Sequence, residues 1–369
     1  MQIHWSRNNP RITRPTPRAL CTLAVLMLGG VAACETVSSP EMAPSANVAQ
    51  GGAIGGRVLN LDGLPVPGAV VRTHGGAETV TDPAGNFRLS GLAATPRLAV
   101  SVEAPGYDGT TAIFRVRAGA LLERPITIQP LAPAVTLSAG AGGSVPIAGG
   151  GQVVIPANAF AGVSPGDPVT VRATYIDTQN PAQFSTAPGD FAGTDLAGNP
   201  VRLESFGMIS VAATGPSGQA VDLAPGQTAT IEFPLRGGTA VPTRAVWTFD
   251  PVQGTWVEET TAVVTPTTIN VTVPTLAPRR NVDTPFPPVC IAVRVLRSDN
   301  VTPRVNEYVA ANGISYAGFT QDWTNTSGVV QLQVPASSQT VVKTGGLVQT
   351  VTAPPAGSIG CPIVASFAF

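Results

Sequence analysis

Lysine is almost missing from this chain: Lys343 is the only one, beside 20 arginines. Histidine is nearly as scarce, with His4 and His74 alone. A His-ligated metal site needs two or three imidazoles, and a Ser-His-Asp triad needs one placed beside a nucleophile. His74 would have to serve either scheme by itself, so neither is expected. Charged residues make up 12% of the chain, about half of what globular domains carry, and no basic run stands out. Nucleic acid is therefore not an expected partner. Aromatic residues are 5%, which leaves few rings for a saccharide platform. The longest apolar run, Ala19–Leu28, is too short to cross a bilayer as a free helix. What the chain has instead is glycine (40) and proline (36) among Val, Thr and Ala. That is the composition of short strands joined by many turns, an all-β chain.

Residues 1–33 read as an export signal. Arg7, Arg11, Arg14 and Arg18 precede the apolar run, and Gly29 to Ala33 end it with small residues. Val31-Ala32-Ala33-Cys34 resembles a bacterial lipobox, which implies that Cys34 becomes the lipidated first residue of the mature protein. The alternatives are an ordinary signal cut after Ala33 and an uncleaved anchor. Several acyl chains on one cysteine anchor durably, at about 0.8 kcal/mol per buried CH₂. Glu35, by resemblance to Gram-negative sorting, implies the outer membrane. The expected location is the cell envelope, at the outer membrane or cell surface, with the membrane itself as a partner through Cys34. Four arginines precede Cys34, so the remainder carries 17 basic and 22 acidic side chains, a net charge of −5. Residues 34–52 lack periodicity and read as a flexible tether.

Residues 53–130 alternate apolar and polar positions between turns. Asp62-Gly63 is expected to close the first pair of strands, and Asp82 to Asn86 form a second turn. After it, Phe87 and Leu89 point to one face and Arg88 to the other. Gly56-Arg57-Val58, Asp62 to Val71, Thr81 to Phe87 and Ala104 to Tyr107 resemble the carboxypeptidase regulatory-like domain. The resemblance implies a transthyretin-like sandwich without catalytic residues of its own.

Residues 131–284 continue as β, with strands such as PVTVRATYID and TATIEFPL. Trp247 and Trp256 flank the Asp250–Gly254 turn and are expected to pack across that strand pair. Gly151 to Phe160, Glu204 to Gly207, Leu223 to Gly226 and Trp247 to Glu258, in that order, resemble a β-rich extracellular region of cartilage intermediate layer protein and of bacterial surface proteins. The opening of residues 131–284 also resembles the sandwich domain of ankyrins and netrin receptors. Pro285, Pro287 and Pro288 then suggest a stiff linker. Residues 285–369 read as a degenerate second copy of the first module, CIAVRVL standing for GGRVLNL and TNTSGVVQLQV for TDPAGNFRLSG, or as an unrelated immunoglobulin-like sandwich. The D-G-x-P turn has no clean counterpart there, and Val330 stands where the first copy has Phe87. Cys21 leaves with the signal and Cys34 is committed to lipid. Cys290 and Cys361 are thus expected to form a disulfide outside the cytoplasm.

Other motifs carry little. Gly162-Val163-Ser164-Pro165-Gly166 matches a nucleophile elbow, but Pro165 has no N–H for an oxyanion hole and a strand follows instead of a helix. His74-Gly75-Gly76 reads as a hairpin tip. Asp190, Asp195 and Asn199 offer oxygen ligands for Ca²⁺ but match no known loop spacing. Glu258 and Glu259 point to opposite faces of a strand, so only one can line a given cleft. Lys343 allows at most one isopeptide cross-link. The function expected is a non-catalytic binding or scaffold lipoprotein for protein or polysaccharide, with no metal or cofactor. The alternatives are a carbohydrate-binding lipoprotein using Trp323, Tyr308 and Tyr316, and a carboxylate-based hydrolase.

Overall fold

The computed structural model describes residues 51–235, 241–277 and 279–369, and these form one compact unit. Cys34 and nearly all of the expected tether lie outside the described residues. Within them the chain is all-β, with one short helix at Pro181–Phe184.

The first module is a sandwich of two sheets. Strand Gly52–Leu59 lies at the centre of one, antiparallel to Asn86–Leu92 and parallel to Leu121–Glu123 and Ile126–Thr127. The other sheet runs in the order Glu78–Val80, Val70–Thr73, Thr95–Glu103, Thr110–Val116. Alternation decides which residues enter the core. Phe87 and Leu89 are buried, whereas Arg88 and Ser90 between and beyond them are exposed. Ile54, Val58, Val100, Phe114 and Leu122 complete this core, each worth about 1.5–3 kcal/mol when fully buried. Asp62-Gly63 does form a turn, Asn60 N–H donating to Leu64 O at 2.8 Å. It does not close a strand pair: the chain crosses there to the opposite sheet, because strand Val70–Thr73 pairs with Glu78–Val80 and Thr95–Glu103. The buried Thr81 hydroxyl pins the crossing, donating to Val66 O (2.7 Å) and accepting from Ala69 N–H (2.9 Å).

Residues 288–368 repeat this topology. Strand Pro288–Leu296 is central, antiparallel to Val329–Pro335 and parallel to Ile363–Ala368. The second sheet runs Phe319–Trp323, Tyr308–Gly313, Gln339–Thr344, Leu347–Thr352, the same connectivity as in the first module. The missing D-G-x-P turn has a structural equivalent. Asn300 (φ 58°) takes the left-handed position of Gly63 (φ 76°), and Pro303 bridges Leu296 as Pro65 bridges Leu59. Asn tolerates that conformation better than other non-glycine residues, which hid the turn from a glycine-based reading.

Between the two, one twelve-stranded sheet curls over a single core that includes Ile155, Val171, Phe233, Val246 and Val282. Its end strands, Val135–Ser138 and Gly143–Ile147, are linked through the Ser138–Gly142 bridge. A second cluster, with Phe191, Leu203, Met208, Trp247 and Trp256, is capped by the 177–199 excursion that carries the helix. Both indoles are fully buried, but the cross-strand partner of Trp256 is Phe249 (5.1 Å between centroids), not Trp247, which faces Glu258 after a bulge at Val246/Trp247. No proline linker follows. Pro285 lies inside strand Arg280–Phe286, opposite Leu203, and Pro288 opens the next strand.

The three parts touch pairwise, which explains why no spacer is needed. Arg97 of the first module donates to both carboxylate oxygens of Asp190 (2.7 and 2.9 Å) and to Gly254 O (2.6 Å) in the middle region. Arg279 reaches back to Asp108 at 2.6 Å. Arg115 pairs with Asp322 of the third module at 2.5 Å, and Arg117 donates to Thr324 O at 2.8 Å. Middle and third regions meet where Ser205 N–H donates to Ala317 O (2.7 Å) and Phe319 packs edge-on against Phe184 and Phe191.

Candidate functional site

Most of the residues that the sequence singled out are held by structural contacts. His74 is exposed at the tip of the hairpin joining Val70–Thr73 to Glu78–Val80, with Thr73 N–H bonded to Ala77 O at 2.8 Å. Ser164 sits in a turn closed by Asp167 (2.7 Å from its carboxylate to Ser164 N–H), and the strand Pro168–Ile176 follows. Glu258 accepts from Leu196 N–H, whereas Glu259 takes two bonds from the buried Arg280 (2.8 and 3.0 Å).

The oxygen ligands suggested for Ca²⁺ do not converge. Asp195 is occupied by its own turn, accepting from Ala197 and Asn199 N–H and from the Asn199 amide. Asp190 is committed to Arg97, with Arg202 at 3.6 Å. Burial pushes the Asp190 carboxyl up, but the Arg97 hydrogen bonds and both guanidinium charges outweigh it and hold it below its ordinary value. A carboxylate so neutralised has little left for a cation. Among the described residues, no cluster of His, Cys, Asp or Glu has metal-binding geometry.

The aromatic platform is corrected as well. Trp323 is buried in the core of the first module, stacked on Phe114 at 5.7 Å. Tyr316 is buried against Phe286. Tyr308 is half-buried, with Trp323 at 5.5 Å and the Arg124 guanidinium over its ring at 5.6 Å. These rings glue modules together; burial used the faces that a sugar would need.

A groove of about 930 Å³ lies between the first and third modules. One wall is the outer face of the third module's larger sheet, where alternation brings Tyr308, Ala310 and Asn312 together with Gln321 and Lys343. The other wall carries Arg57, Glu123 and Arg124. The Tyr308 hydroxyl donates to Gln321 at 2.5 Å, and burial raises its pKa. Glu307, also at the groove, is paired with Arg304 at 2.9 Å, while Glu123 is exposed. One exposed and one ion-paired carboxylate do not make the matched acid and base of a hydrolase. Cations, amides and apolar side chains make the groove suited to holding a ligand. No motif could have found it, because its walls come from segments some two hundred residues apart; Tyr308 and the lone Lys343 were its traces in the sequence.

The Cys290–Cys361 disulfide is present, tying the third module's central strand to the segment before its last strand.

No curated protein matches the chain. Among solved structures, the Bacillus anthracis TIE protein is 10% identical with a TM-score of 0.21, covering 86% of this chain and 50% of its own, so the chain spans half that protein's length. BcpA, the major pilin subunit of Bacillus cereus, is 12% identical with a TM-score of 0.20, over 86% of this chain and 99% of its own. The major pilin SpaD of Corynebacterium diphtheriae is 9% identical with a TM-score of 0.19, over 86% and 96%. Residues 53–129 match the family model of the carboxypeptidase regulatory-like domain, the family whose turns and strands the first module resembles.

Proposed function

We propose that this protein is a non-catalytic scaffold or binding protein of the cell envelope, tethered through a lipid on Cys34 at the outer membrane or cell surface. The Cys290–Cys361 disulfide carries the extracytoplasmic part of this reading, because such bonds persist where thiols are not kept reduced. A regulatory-like module that packs its aromatics and ion pairs against its neighbours supports the scaffold part. The braced unit would present its surfaces in fixed relation at the end of the tether. The test is membrane fractionation of wild type beside Cys34→Ala, with protease shaving of intact cells. Wild type should pellet with membranes and Cys34→Ala should not. Shaving without lysis would place the protein on the outer surface, and protection until lysis would place it on the periplasmic face. Identical fractionation of the two forms would overturn the anchor.

A further inference from the structure

The groove between the first and third modules combines three features that together select a ligand. The first is charge. Arg57, Arg124 and Lys343 all line it, and among the described residues none of them forms an ion pair. The facing carboxylates are the exposed Glu123 and Glu307, and the latter is already neutralised by Arg304. This is a cationic site in a chain whose segment after Cys34 is net negative, with 17 basic and 22 acidic side chains. Arg124 is held over Phe114 and Tyr308 (5.5 and 5.6 Å), with one terminal N–H donated to Ile113 O at 3.4 Å. A guanidinium whose charge no carboxylate neutralises suits an acidic ligand.

The second feature is an exposed apolar edge. Leu347 (39% exposed) and Val348 (61% exposed) open the strand Leu347–Thr352, which pairs on one side with Gln339–Thr344. It is the last strand of its sheet, and its other side has no partner strand among the described residues. Val348 lies opposite Lys343 in register, so an apolar contact and a cation are presented side by side. The third feature is the state of the rings. Tyr308 lies between Trp323 and Arg124, and Phe319 packs edge-on with Phe184 and Phe191, so neither ring stands free as a platform for a sugar.

We infer that this groove docks an extended peptide segment of a partner protein, with acidic side chains meeting Arg57, Arg124 and Lys343 and small apolar ones meeting Leu347 and Val348. The charges would set the segment's register in the groove, and contact with Leu347 and Val348 would add affinity. The inference rests on the binding reading above and names the partner's chemistry.

The test uses the full-length protein in detergent and a fluorescein-labelled synthetic peptide of glutamates interspersed with valines. Anisotropy should show saturable binding that weakens as salt rises. Arg57→Glu combined with Lys343→Glu should weaken it at least about tenfold, with a melting midpoint lowered only slightly, because both side chains are exposed and only the Arg57 bond to Ala84 O is lost. Leu347→Asp should weaken it independently of the charges. Three outcomes would overturn the inference: no binding to wild type, equal binding to the charge-reversed and wild-type proteins, or tighter binding of polygalacturonate than of the peptide at the same groove. Because purified protein is used, failure here leaves the fractionation result standing, and an anchor that fails leaves the groove untouched.

Discussion

Trp323 of the third module stacks on Phe114 of the first, ring centroids 5.7 Å apart, inside a core whose other buried members all belong to residues 54–128. Its indole N–H also reaches Glu123 O at 3.4 Å. One indole of the third module thus sits in the first module's core, beside the third module's own core, and the stabilities of the two should be coupled. Trp323→Ala should cost about 3–5 kcal/mol, the usual range for deleting a buried Trp. Urea unfolding followed by circular dichroism measures it. The variant should also split the transition, the third module melting before the first. A single transition shifted by under about 1 kcal/mol would mean that the two cores are independent.

Asp190 joins the first module to the middle region, with a guanidinium from each side. Its folded pKa is lowered, so its contribution is full above the unfolded pKa and is lost as pH falls through the folded one. Asp190→Asn leaves Arg97 and Arg202 facing each other and should cost about 3–5 kcal/mol at neutral pH. The gap between variant and wild type should narrow in acid. Melting curves collected from neutral pH downward would show it; a gap that stays constant would assign the loss to packing rather than charge.

Asp283 should behave in the opposite sense. It is fully buried, and burial pushes its carboxyl well above the ordinary range; Glu204 adds to that, against the opposing Arg244 charge and hydrogen bonds from Ser205 and Asn281. A raised folded pKa means that stability falls as pH rises from the unfolded value, near 4 for an Asp, toward the folded one. Asp283→Asn removes that slope. Its melting midpoint should gain on wild type between acid and neutral pH. If the two forms keep parallel pH profiles, Asp283 is ionised in the fold.

The disulfide closes a loop of 71 residues in sequence separation. Constraining the unfolded chain to that extent is worth roughly 4 kcal/mol in the entropy model. Reduction should therefore lower the third module's stability by about that much, read as a shift in its transition with and without dithiothreitol. Retention of the oxidised midpoint would show that packing of the Pro288–Leu296 strand alone secures the module.

How much of this was legible differs by length scale. Alternation exposed the strands, and Asp82 to Asn86 exposed a turn in which Asp82 does accept from Ala84 and Asn86 N–H. Local rules suffice where the partners are local. The Asp62-Gly63 turn was recognised, yet the strand pairing assigned to it was wrong, since pairing across a sandwich is decided by where the next strand finds an edge. Trp323 and Tyr316 invited a ligand-binding reading because composition says nothing of which neighbouring module covers a ring. The groove was invisible for the same reason: Arg57, Arg124 and Lys343 meet only after two sandwiches have packed. Sequence spacing encodes none of that packing.

The first and third modules, alike in topology, differ at one cross-strand position, and this gives the last prediction. In the first module Gly56 lies opposite Phe87; at the equivalent place in the third, Val293 lies opposite Val330. The pair two residues before matches, Ile54 with Leu89 and Ile291 with Leu332. Gly56 is required where it stands: its φ is 148°, and a Cβ there would lie 1.9 Å from Arg124 O. The Arg124 backbone is what excludes a side chain at Gly56; whether glycine opposite phenylalanine, and valine opposite valine, also share out one cross-strand volume is open to test. Gly56→Ala should therefore cost at least about 1–3 kcal/mol through overpacking. In the third module, Val330→Phe alone should be destabilising, since Val293 already fills the space. Adding Val293→Gly should recover part of that loss despite the intrinsic cost of glycine in a strand, about 0.5–1 kcal/mol. The favourable coupling between the two substitutions, measured as a double-mutant cycle by denaturant unfolding, is the diagnostic quantity. Additive losses would mean that the two positions do not share one volume, and that the absent phenylalanine in the third module has some other compensation.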